Sequence, residues 1–187
     1  MPLRQAAVMA GLGIIRKNNF FYTEKGSAYE LEGYLIDQDL SLTHDNNHIR
    51  PCADACTLCQ QGCKTIALCA PYTMNPLHCV SFINTFGDNK VPLPLKEESM
   101  QEWIMGCENC QDVCPHNRLH NWSQGEPFKG LDELVPTLAP QHILVASDEE
   151  LIEKVLPKSA SHIRPNQVDS FRKGAERALR YQQLQQD

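Results

Sequence analysis

No stretch of this chain approaches the roughly 20 apolar residues of a membrane-spanning helix, so the sequence predicts no membrane partner. The 17 Lys and Arg are outnumbered by 23 Asp and Glu, giving a formal net charge of −6 over 187 residues. The basic residues are also scattered. A nucleic-acid footprint needs them clustered, and no direct footprint is predicted. Arg4 followed by Ala6 to Ile15 mimics a short secretion signal, but Arg16-Lys17 follow at once and no small-residue cleavage site is evident. Without such a signal, many unpaired cysteines point to a reducing, cytoplasmic compartment where thiolates are free for metal.

Cysteine is what the chain has in abundance, with nine in all. The first run is Cys52, Cys56, Cys59 and Cys63; the second is the isolated Cys79 with Cys107, Cys110 and Cys114, followed by Pro115. Cys56-x2-Cys59-x3-Cys63 and Cys107-x2-Cys110-x3-Cys114 share one spacing. It matches the bacterial two-cluster ferredoxin pattern C-x2-C-x2-C-x3-C-P, whose fourth cysteine serves the other cluster. Two details depart from that pattern: three residues separate Cys52 from Cys56, and Lys64 stands where proline is expected. The pattern predicts two [4Fe–4S] clusters and electron transfer. The alternative is a zinc-binding structural or interaction module with four-cysteine sites, built from C-x2-C knuckles. Cys69, inside Ile66-Ala67-Leu68-Cys69-Ala70, reads as a buried free thiol. His116, just beyond Pro115, reads as a surface residue, with tuning of a cluster through a hydrogen bond as the alternative.

The fold class predicted is α+β: a two-cluster ferredoxin-like module preceded by a β-hairpin element and followed by C-terminal helices. Pro2 to Ala10 reads as a helix capped by Gly11. Asn19 to Thr23 and Ala28 to Ile36 read as hairpin strands around Glu24-Lys25-Gly26-Ser27. Asp37 to Pro51 is a polar loop. Short helices are expected at Thr65 to Leu68, Leu77 to Asn84 and Lys96 to Met105. Ser147-Asp148-Glu149-Glu150 is a capping box opening a helix that Pro157 should end. A last helix spans Gln167 to Gln183, with Val168, Phe171, Ala175 and Ala178 on one face. Three segments result: 1–50, 51–120 with the cluster module, and 121–187.

Ala10-Gly11-Leu12-Gly13 with Lys17-Asn18, the Gly26-Ser27 turn and Leu35-Ile36-Asp37 precede the cysteines. Thr65-x-Ala67-Leu68, Ala70-Pro71-Tyr72, Cys79-Val80-Ser81-Phe82 and Gly106-Cys107-x-x-Cys110-Gln111-x-Val113-Cys114-Pro115-x-Asn117 follow. In this order the motifs resemble the epoxyqueuosine reductases, and also the corrinoid-dependent reductive dehalogenases, over residues 3–120. The 1–50 segment would then be the remnant of a corrinoid-type reductase domain. The resemblance implies an oxidoreductase in which two [4Fe–4S] clusters pass electrons from a low-potential donor to cobalamin, on this chain or on a corrinoid partner. It implies Cys52, Cys56, Cys59 and Cys114 as ligands of one cluster, and Cys63, Cys79, Cys107 and Cys110 as ligands of the other. Gly11, Gly13, Lys17 and Asn18 become candidate corrinoid contacts. Read from the residues alone, Gly11-Leu12-Gly13 is a helix cap with a tight turn, and Lys17-Asn18 a solvated turn pair. The family's proposed acid, an aspartate, lies before the Ala-Gly-Leu-Gly motif, whereas here ten residues precede Gly11 and none is acidic. Arg16 stands at a usual glycine and Ile14 at a usual aromatic. No catalytic residue is assigned. The expectation is a shortened reductase or a stand-alone carrier that moves electrons without turning over substrate.

Overall fold

The computed structural model describes residues 2–41, 48–118, 126–159 and 163–186. Positions 42–47 of the expected polar loop lie outside the described residues. In chain order the elements are α1 (Leu3–Met9), β1 (Ile14–Ile15), β2 (Phe21–Tyr22), α2 (Leu58–Gly62), α3 (Val80–Thr85), α4 (Asn109–Asp112), α5 (Pro115–Arg118), α6 (Leu131–Leu134), α7 (Pro140–Val145), α8 (Asp148–Glu150), α9 (Leu156–Ser159) and α10 (Val168–Leu184). The structure is helix-rich with one small two-stranded sheet among the described residues, an α+β composition. Two compact units interleave in sequence: Met1–Met74 with Glu108–Gly125, and Asn75–Cys107 with Glu126–Asp187.

In the first unit the hairpin differs from the expected one. β1 pairs antiparallel with β2, setting Ile14 opposite Tyr22 and Ile15 opposite Phe21. Glycine at position 13 permits this early pairing, because a Cβ there would lie 2.2 Å from the Tyr22 carbonyl oxygen. Asn19 turns the chain with φ 66°, a left-handed conformation that asparagine tolerates. The Glu24–Ser27 turn survives, closed by a single bridge between Thr23 and Gly26. No second strand follows it. The Ser27 N–H bonds Asn117 Oδ1 at 2.9 Å, so it has no ladder partner to seek, and residues 28–36 run without regular structure. Asn117, fully buried, also donates through Nδ2 to Ser27 Oγ and to the Gln111 carbonyl, both at 3.0 Å. That network anchors the turn beside α4 and α5. Gly62 of α2 allows close approach to α4, since a Cβ there would meet Val113 Cγ2 at 3.0 Å.

Other helix boundaries also shift. No helix forms at 65–68; the turn appears one segment earlier as α2, which carries Cys59. The expected 77–84 helix splits into a 3-10 turn, Pro76–His78, and α3, with Cys79 between them in extended backbone at φ −72°, ψ 122°. Only the 3-10 turn Glu97–Met100 forms in the 96–105 stretch, ended by Gln101 at φ 54°.

The second unit packs α7, α8, α9 and α10 around Ile143, Leu151, Val155, Phe171 and Ala175. Ser147 caps α8 as expected, accepting from the Glu150 N–H at 3.1 Å. Pro157, however, does not stop the helix. A π turn, Leu151–Val155, joins α8 to α9 and places Pro157 in the opening turn of α9. Proline lacks the donor an α-helix interior requires, and the change of winding accommodates that loss. On α10, Val168, Phe171, Ala175 and Ala178 are all buried, as their spacing predicts. Gly174 lets α10 approach the Ile104 carbonyl, which a Cβ would meet at 2.7 Å. Arg177 then bonds Asn89 Oδ1 at 2.7 Å and the Trp103 carbonyl at 2.9 Å. Together with Asn84 Nδ2 on the Gly106 carbonyl at 2.9 Å, these contacts fix the segment that delivers Cys107.

Candidate metal centre

Four cysteines of the first unit, Cys52, Cys56, Cys59 and Cys114, line one cavity of about 110 Å³ with Arg16, Lys17, Asn18 and His116. Cys59 and Cys114 are buried, Cys52 and Cys56 half-buried. Burial pushes the Cys59 thiol up, and the charges of Cys52, Cys56 and Cys114 push the same way against the Gln60 backbone N–H. These four sulfurs therefore feel one another. Among the described residues, no three His, Cys, Asp or Glu side chains converge as they would around a single metal ion.

Lys17 is buried at 6% exposure, contrary to the solvated turn pair expected. Its Nζ donates to the carbonyls of Ala53 at 2.8 Å, Asp54 at 2.7 Å and Cys56 at 3.1 Å. An ammonium has three protons, and all three are committed to the loop between Cys52 and Cys56. Asn18 is buried as well. The Phe20 N–H bonds Asn18 Oδ1 at 3.2 Å, which orients the amide so that Nδ2 donates to Tyr22 Oη at 2.9 Å and to the Cys110 carbonyl at 3.2 Å. Gly11 adopts φ 72° at the end of α1, and Gly13 lies against β2. Each of these four candidate corrinoid contacts thus has a structural task within the unit.

Arg16 is 3% exposed and lies over the Tyr22 ring, 5.1 Å from its centroid. Its Nη1 points at Cys52 Sγ over 3.9 Å. Tyr22 is fully buried; desolvation first, and then its hydrogen bond with Cys114, hold its phenol far above the usual range.

The remaining cysteines are divided between the units. In the first, Cys110 lies on α4, and Cys63 Sγ is 3.7 Å from Thr65 Oγ1. In the second, Cys79 caps α3 and Cys107 packs beside Val80, Ile83 and Met100. Cys69 is exposed rather than buried, because Ile66 at φ 55° turns the chain so that Ala67 and Leu68 take the interior positions. A second cavity, about 650 Å³, lies within the second unit among Trp103, Met105, Ile143 and Phe171, with no cysteine in its lining.

Residues 52–117 match the 4Fe-4S double cluster binding domain. The chain is 30% identical over 155 residues to the epoxyqueuosine reductase of Cellulophaga algicola, covering 82% of this chain and 49% of that one. It is 34% identical over 126 residues to the enzyme of Cyclobacterium marinum, covering 67% of this chain and 40% of that one. The chain is an epoxyqueuosine reductase-like double [4Fe–4S] cluster protein. It spans about half the length, or less, of these curated relatives. Its fold matches solved epoxyqueuosine reductases over 96% of its length and 46% of theirs. The Bacillus subtilis enzyme gives a TM-score of 0.63 at 24% identity, and a complex with an epoxyqueuosine-modified tRNA-Tyr stem loop gives 0.65 at 22%.

The cofactors are accordingly two [4Fe–4S] clusters, not the four-cysteine zinc sites of the alternative reading. The first-unit cavity suits such a group, since four thiols and two cationic side chains surround one buried space, matching an anionic cluster held by thiolates. Sequence reasoning missed two contributors to this site. Tyr22 read only as a strand residue and Arg16 only as a departure from the family, whereas His116, read as surface with cluster tuning as the alternative, lies in the cavity lining. The available signal was the pair of adjacent cations, Arg16-Lys17, directly before a tight turn.

Proposed function

We propose that this chain stores and relays electrons through two [4Fe–4S] clusters within an epoxyqueuosine reductase-type system. Cys52, Cys56, Cys59 and Cys114 hold one cluster; Cys63, Cys79, Cys107 and Cys110 hold the other. A low-potential donor reduces them in the cytoplasm, and a corrinoid on this chain or on a partner receives the electrons. The observation carrying this reading is that Cys114 lines the same cavity as Cys52, Cys56 and Cys59, which joins the end of the second run to the first. When bound, each cluster supplies one-electron storage at low potential.

The protein's own residues hold and shield that group. Lys17 ties down the 53–56 loop, burial of Cys59 and Cys114 excludes water, and Tyr22 supports Arg16 in the cavity wall. A solved relative holds an epoxyqueuosine-modified tRNA stem loop, which supports modified RNA as the final electron acceptor of the system. Anaerobic reconstitution followed by dithionite titration tests the proposal. Two one-electron reduction steps and about eight irons per chain are expected, with cobalamin reduced when added. A chain that binds iron but cannot reduce added cobalamin would refute corrinoid delivery; one holding about four irons would refute the ligand sets.

A further inference from the structure

Arg16 presents a buried charge that the fold itself does not neutralise. No ion pair among the described residues includes it, and its Nε has no hydrogen-bond partner although it is enclosed. Burying an unpaired guanidinium costs several kcal/mol. The groups facing it are the Tyr22 ring and the Cys52 sulfur. The cavity it lines is that of Cys52, Cys56, Cys59 and Cys114, so an anionic group bound there would supply the missing countercharge.

Tyr22 completes the arrangement. The Asn18 amide is oriented by the Phe20 N–H, so its Nδ2 must donate and Tyr22 Oη must accept. The Tyr22 ring is fixed in this way beneath the guanidinium, 5.1 Å from it. The Arg16 N–H that approaches the Cys52 sulfur is therefore held in place by its stacking on a buried, anchored ring.

Resting on the ligand set proposed above, we propose that Arg16 tunes the first-unit cluster, raising its reduction potential through Cys52. Reduction adds one negative charge to a group that is already anionic. A fixed positive charge and donors aimed at its sulfurs stabilise the reduced form more than the oxidised form, and net charge and sulfur hydrogen bonds are established determinants of cluster potential. Burial keeps salt from screening the effect. Arg16 is a positioning residue here: it acts on the cluster through its ligand Cys52.

The test uses the full reconstituted chain and redox titration followed by electron paramagnetic resonance. Arg16→Met keeps an unbranched stem over Tyr22 and removes the charge. The expected result is a fall of one midpoint by at least 59 mV, tenfold in a one-electron equilibrium, with the other midpoint unmoved and about eight irons retained. Arg16→Lys should restore at least half of the fall. Full iron with both midpoints unmoved in Arg16→Met would overturn the proposal, as would a rise, equal losses in the Met and Lys variants, or a drop to about four irons. Cys56→Ala separates this from the underlying reading. It should abolish the midpoint that Arg16→Met moves, and retention of both steps in Cys56→Ala would sink the ligand set itself.

Discussion

Removing the Lys17 ammonium should release the loop that carries Cys52 and Cys56. Lys17→Met preserves most of the buried stem and deletes three charge-assisted bonds, to the carbonyls of Ala53, Asp54 and Cys56. Bonds to charged groups contribute about 1.5–3 kcal/mol each, but the full sum overstates the loss. Ala53 and Asp54 are exposed, so water can replace the ammonium at those carbonyls. A net cost of about 3 kcal/mol is the reasonable figure. At 1.4 kcal/mol per tenfold, the opened loop should become about 100-fold more populated. Iron release to a chelator, followed under anaerobic conditions by loss of brown colour, should accelerate by about that factor for one cluster and stay unchanged for the other. Lys17→Arg should give an intermediate rate, because a planar guanidinium cannot aim its donors at three carbonyls converging on one point. If Lys17→Met released both clusters at the rate of the unaltered protein, the three contacts would not be what holds the loop.

Cys114→Ala should remove the cluster of Cys52, Cys56 and Cys59 and leave the other assembled, with iron falling to about four per chain; loss of only the cluster of Cys107 and Cys110 would contradict the crossing of ligands between runs. Cys69→Ala should retain about eight irons, since Cys69 is exposed and directs its Sγ at the Thr73 carbonyl, 3.8 Å away. Asn117→Ala strands the Ser27 N–H inside the first unit and leaves the Gln111 carbonyl with only the Cys114 N–H; it should cost about 2 kcal/mol in urea unfolding, and a cost below about 0.5 kcal/mol would show that the network is dispensable. Burial raises the Cys59 thiol above its ordinary value, so the unfolded chain loses that proton first. The stability it contributes to the cluster-free chain is full below about pH 8.5 and is lost as pH rises through the folded value. Melting temperature should then fall more steeply with alkali in the cluster-free chain than in the loaded one, where Cys59 is already a thiolate ligand; parallel profiles would refute this.

The sequence by itself determined the cofactor chemistry and the elements that depend on neighbours along the chain. The repeated cysteine spacing, the Gly11 cap of α1, the Ser147 cap of α8 and the apolar face of α10 all follow from local periodicity and stereochemistry. Tertiary structure decided the rest. The hairpin register came from the approach of Gly13 to the Tyr22 carbonyl and from Asn117 capturing the Ser27 N–H, 90 residues distant. Arg16 and Lys17 are adjacent cations that any local reading places in solvent. Their burial follows from partners 36 to 39 residues away, the Cys52 sulfur and the carbonyls of 53, 54 and 56. The Lys17 ammonium is tolerable in the interior because folding assembles its three acceptor carbonyls, and that assembly has no signature at the position of the cation itself.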